Sequence, residues 1–430
     1  MDKIKIIGGN QLFGKIFISG AKNTALPIIC ASLLTDEPVT VKNIPFLSDI
    51  KSLNHLLLQL GTNIEEKNEL LNGHKTQTIT YHTAKPTSFV APYDYVRKMR
   101  ASYYVLGPLL TKYGHVELSL PGGCAIGARP MDIHLSSLEQ MGAHIEIKNG
   151  FVVADAPNGL QGSRIIFHSA SVGATCNILM AAVLAKDTTV IENAAREPEI
   201  ADLIDMLNKM GAHIEGANTS TLTIYGVDKL HGVTHQIIND RIEAGSYAVA
   251  AAMTKGKLEL MYANAEHLKA PLDILRKMGV NIEITSNSII VDAQNAQLHG
   301  EDIYTDYYPG FPTDLQAQFM ALMCISQGAS MITENIWENR FMHVPELIRM
   351  GANINVHGHA SAIVRGTEKL SGAPVMSTDL RASFALILAG LVAEGKTIVN
   401  RVYHLDRGYE TLEEKFKAVG AEIERIKESD

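Results

Sequence analysis

The sequence predicts an α/β protein of two domains, each built from three similar units with helices buried inside and sheets outside. Three observations predict it. First, one glycine-centred phrase recurs six times: LGTNIE around Gly61, MGAHIEI around Gly142, MGAHIEG around Gly211, MGVNIEI around Gly279, MGANINV around Gly351 and VGAEIER around Gly420. Self-similarity at a spacing of roughly 70 residues is the mark of a repeated supersecondary unit. Second, the most apolar stretches have helical length and composition, and a helix that is apolar nearly all round is buried. Third, six units divide into two sets of three, with a cut near Asn239–Arg241.

Taken in order, the chain starts with a predicted strand over Lys3–Gly20, which can close the open end of the last domain by joining its sheet. Each unit then opens on a buried helix: Thr24–Leu34, Tyr95–Leu110, Gly173–Leu184, Glu243–Met253, Leu315–Ile325 and Ala382–Ala393. A turn and a β-rich strand follow, as in Thr188–Glu192, Lys257–Met261 and Lys396–Asn400. Next comes an amphipathic helix. In the first unit Ile50, Leu53, Leu57 and Leu60 fall on one face, and in the second Met131, Leu135, Leu138 and Met141 do. The glycine of each phrase suits the left-handed position just past a helix. The alternating stretch behind it, such as Ala143–Ile147, reads as a half-buried strand. Extra polar residues near Glu66–Ser88 predict a longer hairpin or loop in the first unit. A solenoid of six units is the rival arrangement. It is weaker, because a solenoid has no need of the polar clusters found at equivalent helix starts.

Composition excludes several classes of function. The 430 residues are 46% hydrophobic and 20% charged, an ordinary globular balance, and the net charge of −8 gives no reason to expect nucleic acid. The start, MDKIKIIGGN, lacks the apolar core of a signal peptide. No apolar run approaches the ~18 residues needed to span a bilayer, so no membrane association is expected. Cys30, Cys176 and Cys324 lie inside apolar helical stretches, where a free cysteine acts as a small hydrophobe. With no CxxC spacing, the expectation is a reducing cytoplasm, without a disulfide framework or a zinc site. There is no GxxxxGK[ST], no GxGxxG between a strand and a helix, and no HExxH, so nothing argues for nucleotide hydrolysis, nicotinamide or metal chemistry.

Cys124 stands apart from the other three cysteines. It lies in Pro121-Gly-Gly-Cys-Ala-Ile-Gly-Ala-Arg-Pro130, among glycines and close to Arg129, and a neighbouring cation makes a thiol reactive. Polar groups also mark the start of each buried helix: Lys22-Asn23, then Asp94, Arg97 and Arg100, then Ser169 and Ser171, then Asp240-Arg241, then Thr313-Asp314, then Asp379 and Arg381. Helix N-termini present unpaired N–H groups and favour anions. Asp240 and Ser171 suit ordinary helix caps as well as ligand contacts. Lys22, Arg100 and Arg381 do not, because a cation there opposes the helix dipole and calls for an anion or a carboxylate partner. Arg340 and Arg407 add two planar forks of donors suited to carboxylate and phosphate.

Seven phrases carry a resemblance. They are Ser19-Gly-Ala-Lys-Asn-Thr24, Lys98-Met-Arg-Ala-Ser102, Pro121–Pro130, Asn193-Ala-Ala-Arg-Glu-Pro-Glu-Ile200, Phe311-Pro-Thr-Asp-Leu-Gln-Ala-Gln318, Glu338-Asn-Arg-Phe-Met-His343 and Asp406-Arg-Gly-Tyr-Glu410. Along its whole length the sequence resembles the UDP-N-acetylglucosamine 1-carboxyvinyltransferase family. The resemblance implies two inside-out α/β barrel domains, residues 22–238 and residues 1–21 with 239–430, with the active site in the cleft between them. It implies transfer of the enolpyruvyl group of phosphoenolpyruvate to the 3′-hydroxyl of UDP-N-acetylglucosamine with release of phosphate, the first committed step of peptidoglycan synthesis. It implies no cofactor, and a cytoplasmic enzyme that is a monomer or a weak homo-oligomer.

By the family pattern Lys22, Arg129 and Arg407 hold the phosphate of phosphoenolpyruvate, and Arg340 and Arg407 its carboxylate. Asn23 and Arg100 bridge toward the sugar. Cys124 matches the proton donor, which can also form a covalent adduct, and Asp314 the general base. The nucleotide sugar lies along Arg129, Pro130, Met131, Asp132 and Ile133, along Ser169, Ala170, Ser171 and Val172, and at Ile336. Trp337, the single tryptophan, stands where an aromatic is usual. Two departures are visible: Ser169 where many members have Lys, and Ala244 where Thr is usual. The alternatives are an enzyme of the 5-enolpyruvylshikimate-3-phosphate synthase kind, against which the Gly-Gly-Cys phrase argues, and a catalytically silent nucleotide-sugar sensor. A silent member would be expected to lose Cys124, Lys22, Asp314 or Arg407, and all four are present.

Overall fold

Within one repeat the third unit shows the plan. Strand Arg164–Ile166 runs parallel to Thr188–Glu192, and a parallel pair needs a crossover, here the buried helix Val172–Ala182. The amphipathic helix Pro198–Lys209 follows. An antiparallel hairpin, His213–Glu215 with Thr221–Tyr225, then completes a four-stranded sheet, with Thr221–Tyr225 next to the crossover strand. The structure is a computed structural model. It describes residues 2–71, 74–97, 99–120 and 131–427, and among these six sheets of this order recur.

Burial sorts the two helix types as the patterning predicts. Ala174–Ala182, Ile242–Met253 and Gln316–Met323 are buried at every position. In Pro198–Lys209 the apolar positions Ile200, Leu203, Ile204 and Leu207 are buried while Asp205, Asn208 and Lys209 are not. All six phrase glycines take positive φ, between 92° and 104°, just past the amphipathic helices. An L side chain there would press Cβ on the following carbonyl.

The described residues form two compact units, each with its own apolar core. One comprises residues 20–120 and 131–238, the other 2–19 and 239–427. Each unit holds three sheets. In the first, Thr234–Gln236 comes back to pair in parallel with Val39–Ile44. Of the hairpin or loop expected near Glu66–Ser88, the first unit has the hairpin, nine residues a side, Asn63–Leu71 with His74–His82.

Two expectations need correction. Lys3–Gly20 is not one strand. Lys3–Ile7 inserts between Lys396–Asn400 and Glu422–Ile426, which closes the last sheet as expected, but Phe13–Phe17 joins a different sheet, parallel to Lys257–Met261. Gly8 and Gly9 make the break: a Cβ on Gly8 would lie 2.4 Å from the Ala393 carbonyl oxygen, and Gly9 has φ 105°. The second buried helix is not continuous over Tyr95–Leu110 either. A short helix Tyr93–Val96, a 3-10 helix Arg100–Val105 and a helix Leu106–Tyr113 replace it. Pro108 fits only the first turn of a helix, where its missing N–H is not needed, so the final helix begins beside it.

Candidate active site

In the unit of residues 20–238, Lys22 opens the helix Lys22–Ala31 against the dipole, and the structure supplies its counter-charge. Asp49, in the first turn of Ser48–Leu60, places Oδ2 3.0 Å from Lys22 Nζ, and the two side chains are only 12% and 5% exposed. Asn23 follows. Four residues on, Pro27 has no N–H to return to the Asn23 carbonyl, so that oxygen has no helical donor.

Arg100 begins the 3-10 helix and is half-buried. Nearby, His134 is buried, and burial first, then the positive charge of Arg100, push its pKa down to about 4. The ring is therefore neutral. It accepts at Nδ1 from the Asn177 amide nitrogen, 3.0 Å away. Asn177 also donates to the Tyr103 carbonyl and accepts the Gly107 N–H, each at 3.0 Å. One amide thus ties the helix Asp132–Gln140 to Val172–Ala182 and to the pieces of the broken helix. This holds Met131, Asp132 and Ile133 near Ser169, Ala170, Ser171 and Val172, and His168 Nε2 lies 3.7 Å from Asp132 Oδ2. A Cβ on Gly173 would meet the Tyr103 hydroxyl at 2.4 Å, so any other residue here would displace that ring. Ser171 is an N-cap, its hydroxyl accepting the Ala174 N–H at 3.2 Å. Cys124, Arg129 and Pro130 lie outside the described residues.

In the other unit, the starts of two buried helices, Gln316–Met323 and Leu380–Val392, meet at Asp314, and Arg340 joins them from the turn before the helix Val344–Arg349. Arg340 Nη2 donates to Asp314 Oδ1 and Arg381 Nη2 to Oδ2, both at 2.8 Å. Both arginines are buried, 4% and 5% exposed, while the Asp314 side chain keeps 30% exposure. Burial most strongly opposes the Arg381 charge, but Asp314, Tyr409 and Asp240 together outweigh it and raise its pKa. Asp240 and Asp379 cap the helices Arg241–Met253 and Leu380–Val392. Arg407 ends the 3-10 helix Val402–Arg407, half-buried. Ile336 and Trp337 give their backbone N–H groups to Glu334 Oε1 at 3.0 and 3.1 Å, and Glu334 Oε2 accepts from Thr313 Oγ1 at 3.0 Å. Glu334 therefore fixes the Ile336 segment to the residue before Asp314.

Sequence reasoning gave no role to Asp49, Asn177, His134, Glu334, Gln318 or Ser246. Asp49 could be read as a first-turn acid favoured by the helix dipole, but nothing local pairs it with Lys22. The three cysteines expected to be inert are buried, and burial raises their pKa values, that of Cys324 to about 12. Among the described residues one group could hold a metal: Asp202, Asp205 and His235, with ligand atoms within 4.8 Å of one another. Lys209 already neutralises Asp205 at 2.5 Å, and Asp202 is used by the Ile238 N–H and by His235. No metal is assigned there. Among the described residues no helix is long and apolar enough to cross a membrane.

Comparison with known proteins decides the family. The family model described as EPSP synthase (3-phosphoshikimate 1-carboxyvinyltransferase) matches residues 6–416. A UDP-N-acetylglucosamine 1-carboxyvinyltransferase of Rhodospirillum centenum is 55% identical over 438 residues, covering 100% of both chains. One of Sphingopyxis alaskensis is 57% identical over 429 residues, covering 99% of each.

The chain belongs to the UDP-N-acetylglucosamine 1-carboxyvinyltransferase family.

It is accordingly a transferase. Solved structures agree on the fold of this chain. The enolpyruvyl transferase NikO from Streptomyces tendae superposes with a TM-score of 0.86 at 23% identity, covering 100% of this chain and 99% of its own. An EPSP synthase from Acinetobacter baumannii gives 0.75 at 19% identity, with 99% and 100% covered. The inside-out α/β architecture expected from the repeats is the fold of these enzymes. The six-unit solenoid is set aside, because in each unit a strand from the opposite end of its sequence completes a sheet.

Proposed function

We propose that the chain transfers the enolpyruvyl group of phosphoenolpyruvate to the 3′-hydroxyl of UDP-N-acetylglucosamine, releasing phosphate, and so opens peptidoglycan synthesis. The observation that carries the reading is identity of 54–57% over essentially the whole chain to enzymes named for this transfer. The chemistry asks for cations that hold a small, highly charged anion, for a base and for an acid. Lys22, Arg129 and Arg407 take the phosphate, and Arg340 and Arg407 the carboxylate. Asn23 and Arg100 reach toward the sugar, and the segments 129–133 and 169–172, with Ile336, receive the nucleotide sugar.

In the addition step Asp314 takes the proton of the 3′-hydroxyl, whose oxygen bonds to C2 of phosphoenolpyruvate. Cys124 gives a proton to C3, so the double bond is consumed. In the elimination step a proton leaves C3, the double bond re-forms and phosphate departs from C2. The two guanidinium groups support the role of base by fixing the position of both Asp314 carboxyl oxygens. Lys22, half-buried and paired with Asp49, supports an anion site at that helix start. The enzyme works in the cytoplasm as a monomer or weak homo-oligomer.

Phosphate release from phosphoenolpyruvate tests the reading. It is expected with UDP-N-acetylglucosamine and not with shikimate 3-phosphate. Release only with shikimate 3-phosphate favours the other activity of this fold, and release with neither acceptor sinks the proposal.

A further inference from the structure

One buried hydroxyl lies behind Arg381, one of the two arginines that hold Asp314. Tyr409 is 2% exposed, and its hydroxyl oxygen is 2.9 Å from Ser246 Oγ, 3.2 Å from Gln318 Nε2 and 3.2 Å from Arg381 Nη1. These three partners come from the buried helices Arg241–Met253, Gln316–Met323 and Leu380–Val392, so every buried helix of the unit sends one polar side chain to the same point.

Donor accounting fixes the direction of the bonds. Ser246 Oγ gives its own proton to the Ile242 carbonyl at 2.7 Å, so in its contact with Tyr409 it accepts and the phenol donates. The phenol oxygen is then left to accept from Arg381, and it shares the Gln318 amide nitrogen with Ser246 Oγ, which lies 3.1 Å from that nitrogen. The Gln318 amide nitrogen also donates to the backbone carbonyl of Asp314 at 3.0 Å. Arg381 is thus held at two nitrogens, by Tyr409 and by Asp314 Oδ2, and its guanidinium carbon sits 5.5 Å from the centre of the Tyr409 ring.

Arg340 is held differently. Its Nη2 is shared between Asp314 Oδ1 and the Thr313 carbonyl at 3.3 Å, and its Nε is buried with no hydrogen-bond partner. An unmade bond on a buried guanidinium is costly, and a carboxylate or phosphate oxygen would satisfy it. The two arginines are therefore unequal: one is locked from behind, the other has a donor in hand.

We propose that Tyr409 is a positioning residue that makes Arg381 the permanent partner of Asp314 Oδ2, leaving Arg340 as the arginine that exchanges Asp314 Oδ1 for the anionic substrate. Binding of the anion then releases Oδ1 from Arg340, while Arg381 stays on Oδ2, and Oδ1 takes the acceptor's proton. This rests on the reading of Asp314 as the base of enolpyruvyl transfer.

Tyr409→Phe tests it, since the ring and its packing stay and the hydroxyl goes. The expected result is a fall in kcat of about 10- to 100-fold, as for other losses of alignment at a reacting group, with KM for the nucleotide sugar within about twofold of wild type. Arg381→Lys should show the same split. The double variant should be no slower than Arg381→Lys alone, because both changes act through one contact. Wild-type kcat in Tyr409→Phe, losses that multiply in the double variant, or a lower melting temperature with kcat per folded molecule unchanged, each overturns the positioning role. Absence of turnover in wild type would instead overturn the reading of function, and this inference with it.

Discussion

Asn177 sits in a helix whose other residues from Ala174 to Ala182 pack as core, yet its amide makes three hydrogen bonds to three different segments. Such a group is expensive to bury unpaired and worth keeping when fully satisfied. It also sets a pH dependence, because its bond to His134 requires the neutral imidazole. The folded-state pKa of His134, about 4, lies below the ordinary 6.5, so between these values the unfolded chain binds more protons than the folded one. The stabilisation is therefore complete above about pH 6.5 and is lost as pH falls through about 4. Urea denaturation at pH 7 and pH 5 should show wild type losing about 2 kcal/mol more than His134→Gln. Equal losses would mean that the ring is not held neutral. Lys22 was legible in the sequence because a cation at a helix start conflicts with the dipole. Its partner Asp49 was not, since an ion pair between two helices leaves no mark in either stretch alone. Tyr409 was visible within a quoted phrase, but its function depends on Ser246, Gln318 and Arg381, which only the fold brings together.

Helices and turns were the most legible scale, since their signals are local. Apolar composition separated buried from amphipathic helices, and the six phrase glycines marked where the amphipathic ones stop. These glycines are alike in φ yet not alike in surroundings, which yields a paired test. At Gly351, φ is 95° and no atom lies within 4 Å of an added Cβ, so Gly351→Ala should cost only the left-handed conformation, about 1 kcal/mol. At Gly279, φ is 98° and the Cβ would fall 2.8 Å from the Gln297 carbonyl oxygen, so Gly279→Ala should cost clearly more. Both lie in the same unit, and denaturation of the two variants under one condition compares them directly. Equal costs would show that the backbone near Gln297 yields freely. The misread elements share a cause: where Gly8-Gly9 or Pro108 interrupts an apolar pattern, composition still reads as one element, while backbone geometry divides it.

At the scale of the whole molecule, the count of units and the closing of the last sheet by the N-terminal strand were readable, but the return of Thr234–Gln236 to Val39–Ile44 and the separate pairing of Phe13–Phe17 were not, because strand partners far apart in sequence share no pattern. Residues 20–238 contain every strand of their own three sheets. Residues 239–427 do not: two of their three sheets need Lys3–Ile7 and Phe13–Phe17. Ser19, at the end of this borrowed segment, is anchored by its N–H on Glu243 and by Lys415 on its hydroxyl, each at 2.7 Å, and its hydroxyl also bonds Glu410. A fragment of residues 20–238 is expected to unfold cooperatively on its own. A fragment of residues 239–430 is expected to stay unfolded unless residues 1–19 are joined behind residue 430. Circular dichroism and urea titration of the three fragments check this, and a folded 239–430 fragment without the added strands would show that they are dispensable.

The borrowed strands also impose an order on biosynthesis. As the chain leaves the ribosome, residues 20–238 can finish folding while the rest is still being translated. Lys3–Ile7 emerges before them, but its two neighbours, Lys396–Asn400 and Glu422–Ile426, are among the last strands made. An apolar β-segment must therefore wait, unpaired, through nearly the whole of translation. Alternating Lys3 and Lys5 with Ile4 and Ile6 puts charge on one face of that segment. Such charges discourage pairing with the wrong chain, so the nascent N-terminus is guarded until its sheet exists.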